Sequence, residues 1–298
     1  MHSLLVRVKS RVFIRANRRV MSLLDGQYVA LSRGRSMDFD DLRSYVPGDE
    51  VKDIDWKATA RFGSALVRNY SANRQQELVV VVDTGRNMAA LAASGEPKRD
   101  IAVLVAGVLG YLSLRHGDRV SLAIGNAEAF QRFPPGGTEG ELESYLRRID
   151  RAITLDGPLS DPGRLLSSVL KSIRKRAIVV VIADDAPITP EIDEVAKHLQ
   201  ARHELLWVTV GDADLVSTAQ TGAAAKPMYE VVDDWSLPDF VRGNAKLRAE
   251  FAAANTAREE ATRESLEDLG ISHVRIEAGS AVIPQLLMML RRRAHARR

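Results

Sequence analysis

Glu77-Leu-Val-Val-Val-Val-Asp83, followed by Thr84-Gly85-Arg86-Asn87-Met88, is the stretch whose reading decides the fold. Leu78 through Val82 form an unbroken apolar run, four of them β-branched, as expected of a strand buried on both faces of a parallel sheet. The run ends on an acid and a short polar loop. A carboxylate at the end of a buried strand is placed for binding, because ligands of open α/β sheets gather beyond the carboxyl ends of the strands.

Outward from this strand the texture stays regular. The spacing predicts helices over Lys98–Arg115, Glu139–Ile149, Gly163–Arg174, Pro190–Ala201, Leu247–Leu269 and Val282–Arg293. Strands are expected at Arg119–Ile124, Ala127–Phe133, Ala177–Ile182, Glu204–Val210, Met228–Val232 and Ser272–Ile276. Apolar strands alternating with helices imply an α/β fold, a mainly parallel sheet with helices on both faces. Acids stand at or just past three of the strand ends: Asp83, Asp184-Asp185 and Asp212.

Residues 1–76 have a different character and are expected to pack on the 77–298 domain. Leu4–Leu24 reads as one amphipathic helix with Arg7, Arg11, Arg15 and Arg18 on one arc, stopping at Asp25-Gly26. Short β stretches are expected at Tyr28–Leu31 and Ala65–Tyr70. With the basic tail Arg291–Arg298, that helix leaves peripheral contact with an anionic membrane open, while nucleic acid is the less favoured partner. The chain has 298 residues and no cysteine, which excludes disulfides, cysteine metal sites and thiol catalysis. Its longest mostly apolar run, Ile101–Leu114, is too short to span a bilayer, and the amino terminus has no signal-peptide pattern, so a cytoplasmic location is expected.

The loop after Asp83 resembles the opening of the von Willebrand factor A adhesion site, written Asp-x-Ser-x-Ser and completed by a distant Thr and Asp around a divalent cation. The first acid is present, but Gly85 and Asn87 stand at the two serine positions. The resemblance implies Asp83, Thr138 and Asp184 as metal ligands and adds Asn87 to the binding loop. Such a degenerate set would hold Mg²⁺ weakly at most, because Mg²⁺ demands near-octahedral oxygen ligation. Thr138, in Pro134-Pro-Gly-Gly-Thr138, can equally serve as a helix N-cap.

A second motif lies upstream. Asp38-Phe39, Leu42-Arg43-Ser44-Tyr45, Pro47-Gly48-Asp49, Ile54-Asp55-Trp56-Lys57 and Ala60-Arg61 follow one another in an order that resembles the signature of the bacterial domain of unknown function 58, a MoxR-associated family with a von Willebrand factor A-like domain. The resemblance implies a non-catalytic adaptor working with a MoxR-type AAA+ ATPase in the assembly or maturation of other proteins. From the residues alone, Pro47-Gly48 makes a turn, and Phe39, Leu42, Tyr45, Ile54 and Trp56 are expected to pack the segment onto the main sheet. Arg43, Lys57 and Arg61 are expected to neutralise Asp49, Asp53 and Asp55. The alternative is a phosphoesterase in which Asp83, Asp184 and Asp185 hold a water-activating metal. No P-loop, nucleotide fingerprint, Gly-x-Ser-x-Gly elbow or His-Glu-x-x-His pair occurs, and no small-molecule substrate is implied.

Overall fold

The computed structural model describes residues 3–15, 18–33, 39–47, 49–51, 54–70, 75–213 and 244–295. Helices α1 (Leu4–Arg15) and α2 (Arg18–Arg33) open the chain, followed by β1 (Phe39–Ser44), α3 (Trp56–Phe62) and β2 (Leu66–Tyr70). The α/β part begins with β3 (Glu77–Asp83), a short turn of 3-10 helix at Arg86–Ala89, and α4 (Lys98–Arg115). Next come β4 (Arg119–Gly125), β5 (Phe130–Gly136), α5 (Glu139–Ala152), α6 (Pro162–Ser172) and β6 (Ile178–Asp184). The chain continues through α7 (Pro190–Arg202), β7 (Glu204–Val210), α8 (Ala245–Asp268), β8 (Ser272–Ile276) and α9 (Val282–His295). The expected strand Met228–Val232 lies outside the described residues.

Six strands form the main sheet in the order β5-β4-β3-β6-β7-β8. Every pairing is parallel except β4 with β5. Numbered within this sheet, the order is 3-2-1-4-5-6, so the topological switch falls between β3 and β6. Side chains alternate between two cores, as the period of two requires. Leu78, Val80 and Val82 face one core with α4, α5 and α9, whereas Val79 and Val81 face the other with α6, α7 and Leu266 of α8.

Helix α4 is apolar on nearly every side because it is covered on nearly every side: Ile101 through Gly110 are all buried. Gly107 lets α1 close in, since a Cβ there would stand 2.6 Å from Val8 Cγ2. The start of α1 is held by Glu143 of α5, which accepts from the Leu5 N–H at 2.7 Å and the Ser3 hydroxyl at 2.9 Å. Arg7 is exposed and lies 3.9 Å from Asp100.

Three sequence expectations are corrected here. Leu4–Leu24 is not one helix but parts of two, and Asp25-Gly26 does not stop the second. Tyr28–Leu31 is helical rather than extended: Leu24, Tyr28 and Leu31 are buried at helical spacing, and that stripe overrides the β-favouring local composition. The Tyr28 hydroxyl donates to Asp118 Oδ2 at 3.0 Å, and Arg115 pairs with Asp25 at 2.9 Å, tying α2 to the end of α4. The third correction concerns the 39–70 segment, where β1 and β2 form a separate antiparallel pair joined by α3. Trp56 is 63% exposed and Phe62 72% exposed, and Tyr45 also faces solvent, so the expected packing of Tyr45 and Trp56 onto the main sheet does not occur.

Candidate functional site

Three carboxylates come together across the switch point. Asp83 ends β3, Asp184 ends β6, and Asp212 lies just beyond β7. Asp83 and Thr84 are buried, and the loop is pinned at its root: the Thr84 N–H donates to Gly125 O at 2.8 Å, and the Gly85 N–H donates to Asp83 Oδ1 at 2.9 Å. The next residue is tied to a different loop, with the Arg86 N–H donating to Pro158 O at 2.8 Å. That loop presses so closely that a Cβ on Gly85 would lie 2.3 Å from both Ser160 N and Ser160 Oγ. The space a serine side chain would fill at position 85 is thus taken by Ser160, a hydroxyl supplied from elsewhere in the chain.

A buried lysine reaches two of these acids. Lys98, the first residue of α4, is fully buried and its Nζ donates to Asp184 Oδ1 at 2.5 Å and also pairs with Asp212. Bridges from Leu91 to Pro97 and from Ala92 to Asp212, with the Lys98 N–H donating to Ala90 O at 2.9 Å, hold the loop that delivers it. Burial alone would lower the ammonium pKa, but Asp184 and Asp212 more than reverse this, and Lys98 is held above its ordinary value. Asp83 is pushed up to about 6, chiefly by burial and further by Asp184; the Gly85 N–H, the nearby Ser160 hydroxyl and Lys98 act in the opposite direction. Asp212 is likewise pushed up to about 6 by desolvation and by Asp184. Asp83 Oδ2, Asn87 Oδ1 and Ser160 Oγ are buried with no hydrogen-bond partner of good geometry among the described residues.

Asp185 belongs to a neighbouring network. It accepts from Arg275 Nε at 3.1 Å and Nη2 at 2.9 Å, and Arg275 also pairs with Glu259 at 3.0 Å and with Glu277.

Of the residues expected at the site, Asp83, Asn87 and Asp184 are at the β3–β6 end of the sheet, and Thr138 is not. Strand β5 runs antiparallel to its neighbour: Phe130 pairs with Gly125 beside Asp83, whereas Gly136 pairs with Val120 at the amino end. Thr138, two residues beyond, is therefore roughly 16 Å or more away, at ~3.3 Å per strand residue. There it caps α5 in a reciprocal arrangement, its hydroxyl accepting from the Glu141 N–H while Glu141 Oε2 accepts from the Thr138 N–H at 3.0 Å.

A divalent cation does not fit the residues present. Asp184 and Asp212 are engaged by Lys98, Gly85 offers no side chain, and Thr138 lies at the other end of the sheet. One carboxylate and two neutral oxygens remain, and among the described residues no three His, Asp or Glu side chains are grouped to hold a metal. Sequence reasoning missed Lys98 and Ser160. Lys98 read as the polar flank of an apolar helix, and Ser160 sits in the unpatterned stretch Gly157-Pro-Leu-Ser160. The available signal was the number of strand-end acids, which require a buried cation.

In the upstream signature, Arg43 grips Asp49 with both terminal guanidinium nitrogens, at 2.6 and 2.7 Å, and Asp49 accepts from the Val46 N–H at 2.9 Å. Asp55 caps α3 by accepting from the Lys57 and Ala58 N–H groups at 3.0 Å. Asp38, Gly48 and Asp53 lie outside the described residues.

Residues 41–261 match the protein family of unknown function DUF58. The chain belongs to the DUF58 family. Its relatives include uncharacterized protein Mb1516 of Mycobacterium bovis and uncharacterized protein Rv1480 of Mycobacterium tuberculosis, each 30% identical over 241 residues, 77% of this chain and 74% of the relative. Neither name states an activity. Among solved structures, the hypothetical protein BatB from Bacteroides thetaiotaomicron is similar at 12% identity and TM-score 0.44, over 74% of this chain and 99% of that one. A von Willebrand factor type A protein from Catenulispora acidiphila is similar at 11% identity and TM-score 0.41, over 76% and 43% of the two chains. This DUF58 chain has a mixed α/β fold, with a mostly parallel central sheet flanked by helices. No helix among its described residues is long and apolar enough to cross a membrane.

Proposed function

We propose that this DUF58 protein is a non-catalytic cytoplasmic adaptor that docks a partner through the loops at the carboxyl end of its sheet. The family resemblance makes a MoxR-type AAA+ ATPase the partner to test first, with the pair acting in the assembly or maturation of other proteins. The observation that carries the reading is the neutralisation of the strand-end acids in place: Lys98 holds Asp184 and Asp212, and Arg275 holds Asp185. Acids held this way are poor ligands for a hydrolytic metal, which weakens the phosphoesterase alternative built on Asp83, Asp184 and Asp185. At the same end of the sheet Arg86 and Asn87 are partly exposed. The signature segment also exposes Val46, Val51, Trp56 and Phe62.

Titration calorimetry against a purified MoxR-type ATPase tests this. The wild type should bind, and Arg86→Glu or Asn87→Lys should weaken binding by at least about tenfold, the loss of ~1.4 kcal/mol of contact energy. Absence of binding by the wild type removes the partner, and unchanged affinity in both variants moves the interface away from the strand end.

A further inference from the structure

We propose that the Lys98 ammonium is the resident cation of the strand-end site, standing in for a divalent metal and making the site independent of metal supply. The geometry follows from the fold. Asp83 and Asp184 flank the switch point, and Asp212 lies one strand further on, so three carboxylates stand at the end of the sheet where such folds hold their ligands. Like charges brought together in low dielectric need a positive centre between them. Lys98 reaches that point from the amino end of α4, its whole side chain buried and its Nζ bonded to two of the three acids.

An ammonium differs from a hard cation in charge and in coordination. It carries one positive charge and donates three hydrogen bonds, whereas Mg²⁺ or Mn²⁺ organises six oxygens. That difference accounts for the remaining oxygens of the site. Asp83 Oδ2 and Asn87 Oδ1 are buried without a hydrogen-bond partner of good geometry among the described residues, as expected where a many-coordinate ion has been exchanged for a side chain that reaches only some of the oxygens. The exchange is also compatible with Gly85: with Ser160 pressed against it, position 85 has no room for another ligand.

The inference deepens the strand-end reading of the docking site, but its test is blind to any partner, so each can fail without the other. Metal-free wild type and Lys98→Ser are titrated with MnCl₂, free Mn²⁺ being read by its paramagnetic resonance signal and stability by thermal melting. Wild type should leave the signal unchanged and melt at the same temperature with or without Mn²⁺. Lys98→Ser should take up about one equivalent, and its melting temperature should rise by about 3 °C or more at saturating ion. Lys98→Ser/Asp184→Asn should lose that uptake. Should Lys98→Ser not fold in metal-free buffer, refolding in Mn²⁺ but not in an equal ionic strength of K⁺ supports the proposal. Stoichiometric uptake by the wild type overturns it, as does a folded Lys98→Ser that ignores Mn²⁺ or an unfolded one that Mn²⁺ does not rescue.

Discussion

Replacing Asp83 by Asn keeps the shape of a wholly buried side chain and removes its charge. The acid is held at about 6 in the folded protein, against 3.8 for the free side chain, with burial the main cause. A raised folded-state pKa means that the protonated form is the one the fold favours. The carboxyl therefore contributes nothing unfavourable well below pH 3.8, costs stability as the unfolded chain ionises, and reaches its full cost above pH 6. The rise from 3.8 to about 6 corresponds to about 3 kcal/mol at pH 8 and about 1 kcal/mol at pH 4.5. Asp83→Asn should accordingly be more stable than wild type, by up to about 3 kcal/mol at pH 8 and by much less at pH 4.5. The Gly85 N–H retains its acceptor, because the amide oxygen of Asn can occupy the position of Oδ1. Urea denaturation across this pH range measures the difference directly. A pH-independent effect, or a loss of stability that deepens as pH rises, would refute the reasoning and show that ionised Asp83 has a stabilising partner.

Gly85→Ser should destabilise by about 1–3 kcal/mol, because its Cβ collides with Ser160 backbone atoms; chemical denaturation gives the value. Thr138→Ala should cost about 1 kcal/mol through loss of the α5 cap and leave partner affinity unchanged, since Thr138 lies at the opposite end of the sheet. Trp56→Ala should change stability by no more than about 0.5 kcal/mol, a result that would separate a surface role from a core role for this signature residue. Tyr28→Phe should cost about 1–2 kcal/mol by leaving buried Asp118 without its hydroxyl donor, measurable in the same assay.

Much of the fold was legible because it is written in local periodicity. The β-branched runs at 77–83 and 177–182 and the apolar helix at 98–115 need no partner to be recognised, and they imply a parallel sheet covered on both faces. The signature Asp38–Arg61 was legible as an ordered pattern, and it carried the family without indicating that Trp56 faces solvent. Less legible was anything set by what lies alongside. Tyr28–Leu31 has strand-like composition and became helix because one stripe of it meets the helices packed on α4.

The sequence by itself determined that Asp83 ends a buried strand and that acids gather at neighbouring strand ends. Which residues complete the site was decided by tertiary structure. Strand direction carried Thr138 to the far end of the sheet, because an antiparallel β5 returns the chain to the amino ends. Helix placement brought Lys98 from a polar flank to the carboxylates of Asp184 and Asp212, and a separate loop supplied the Ser160 hydroxyl. Spacing along a chain records which residues share an element, but the long reach of a lysine and the sense of a strand become apparent only once the elements are packed.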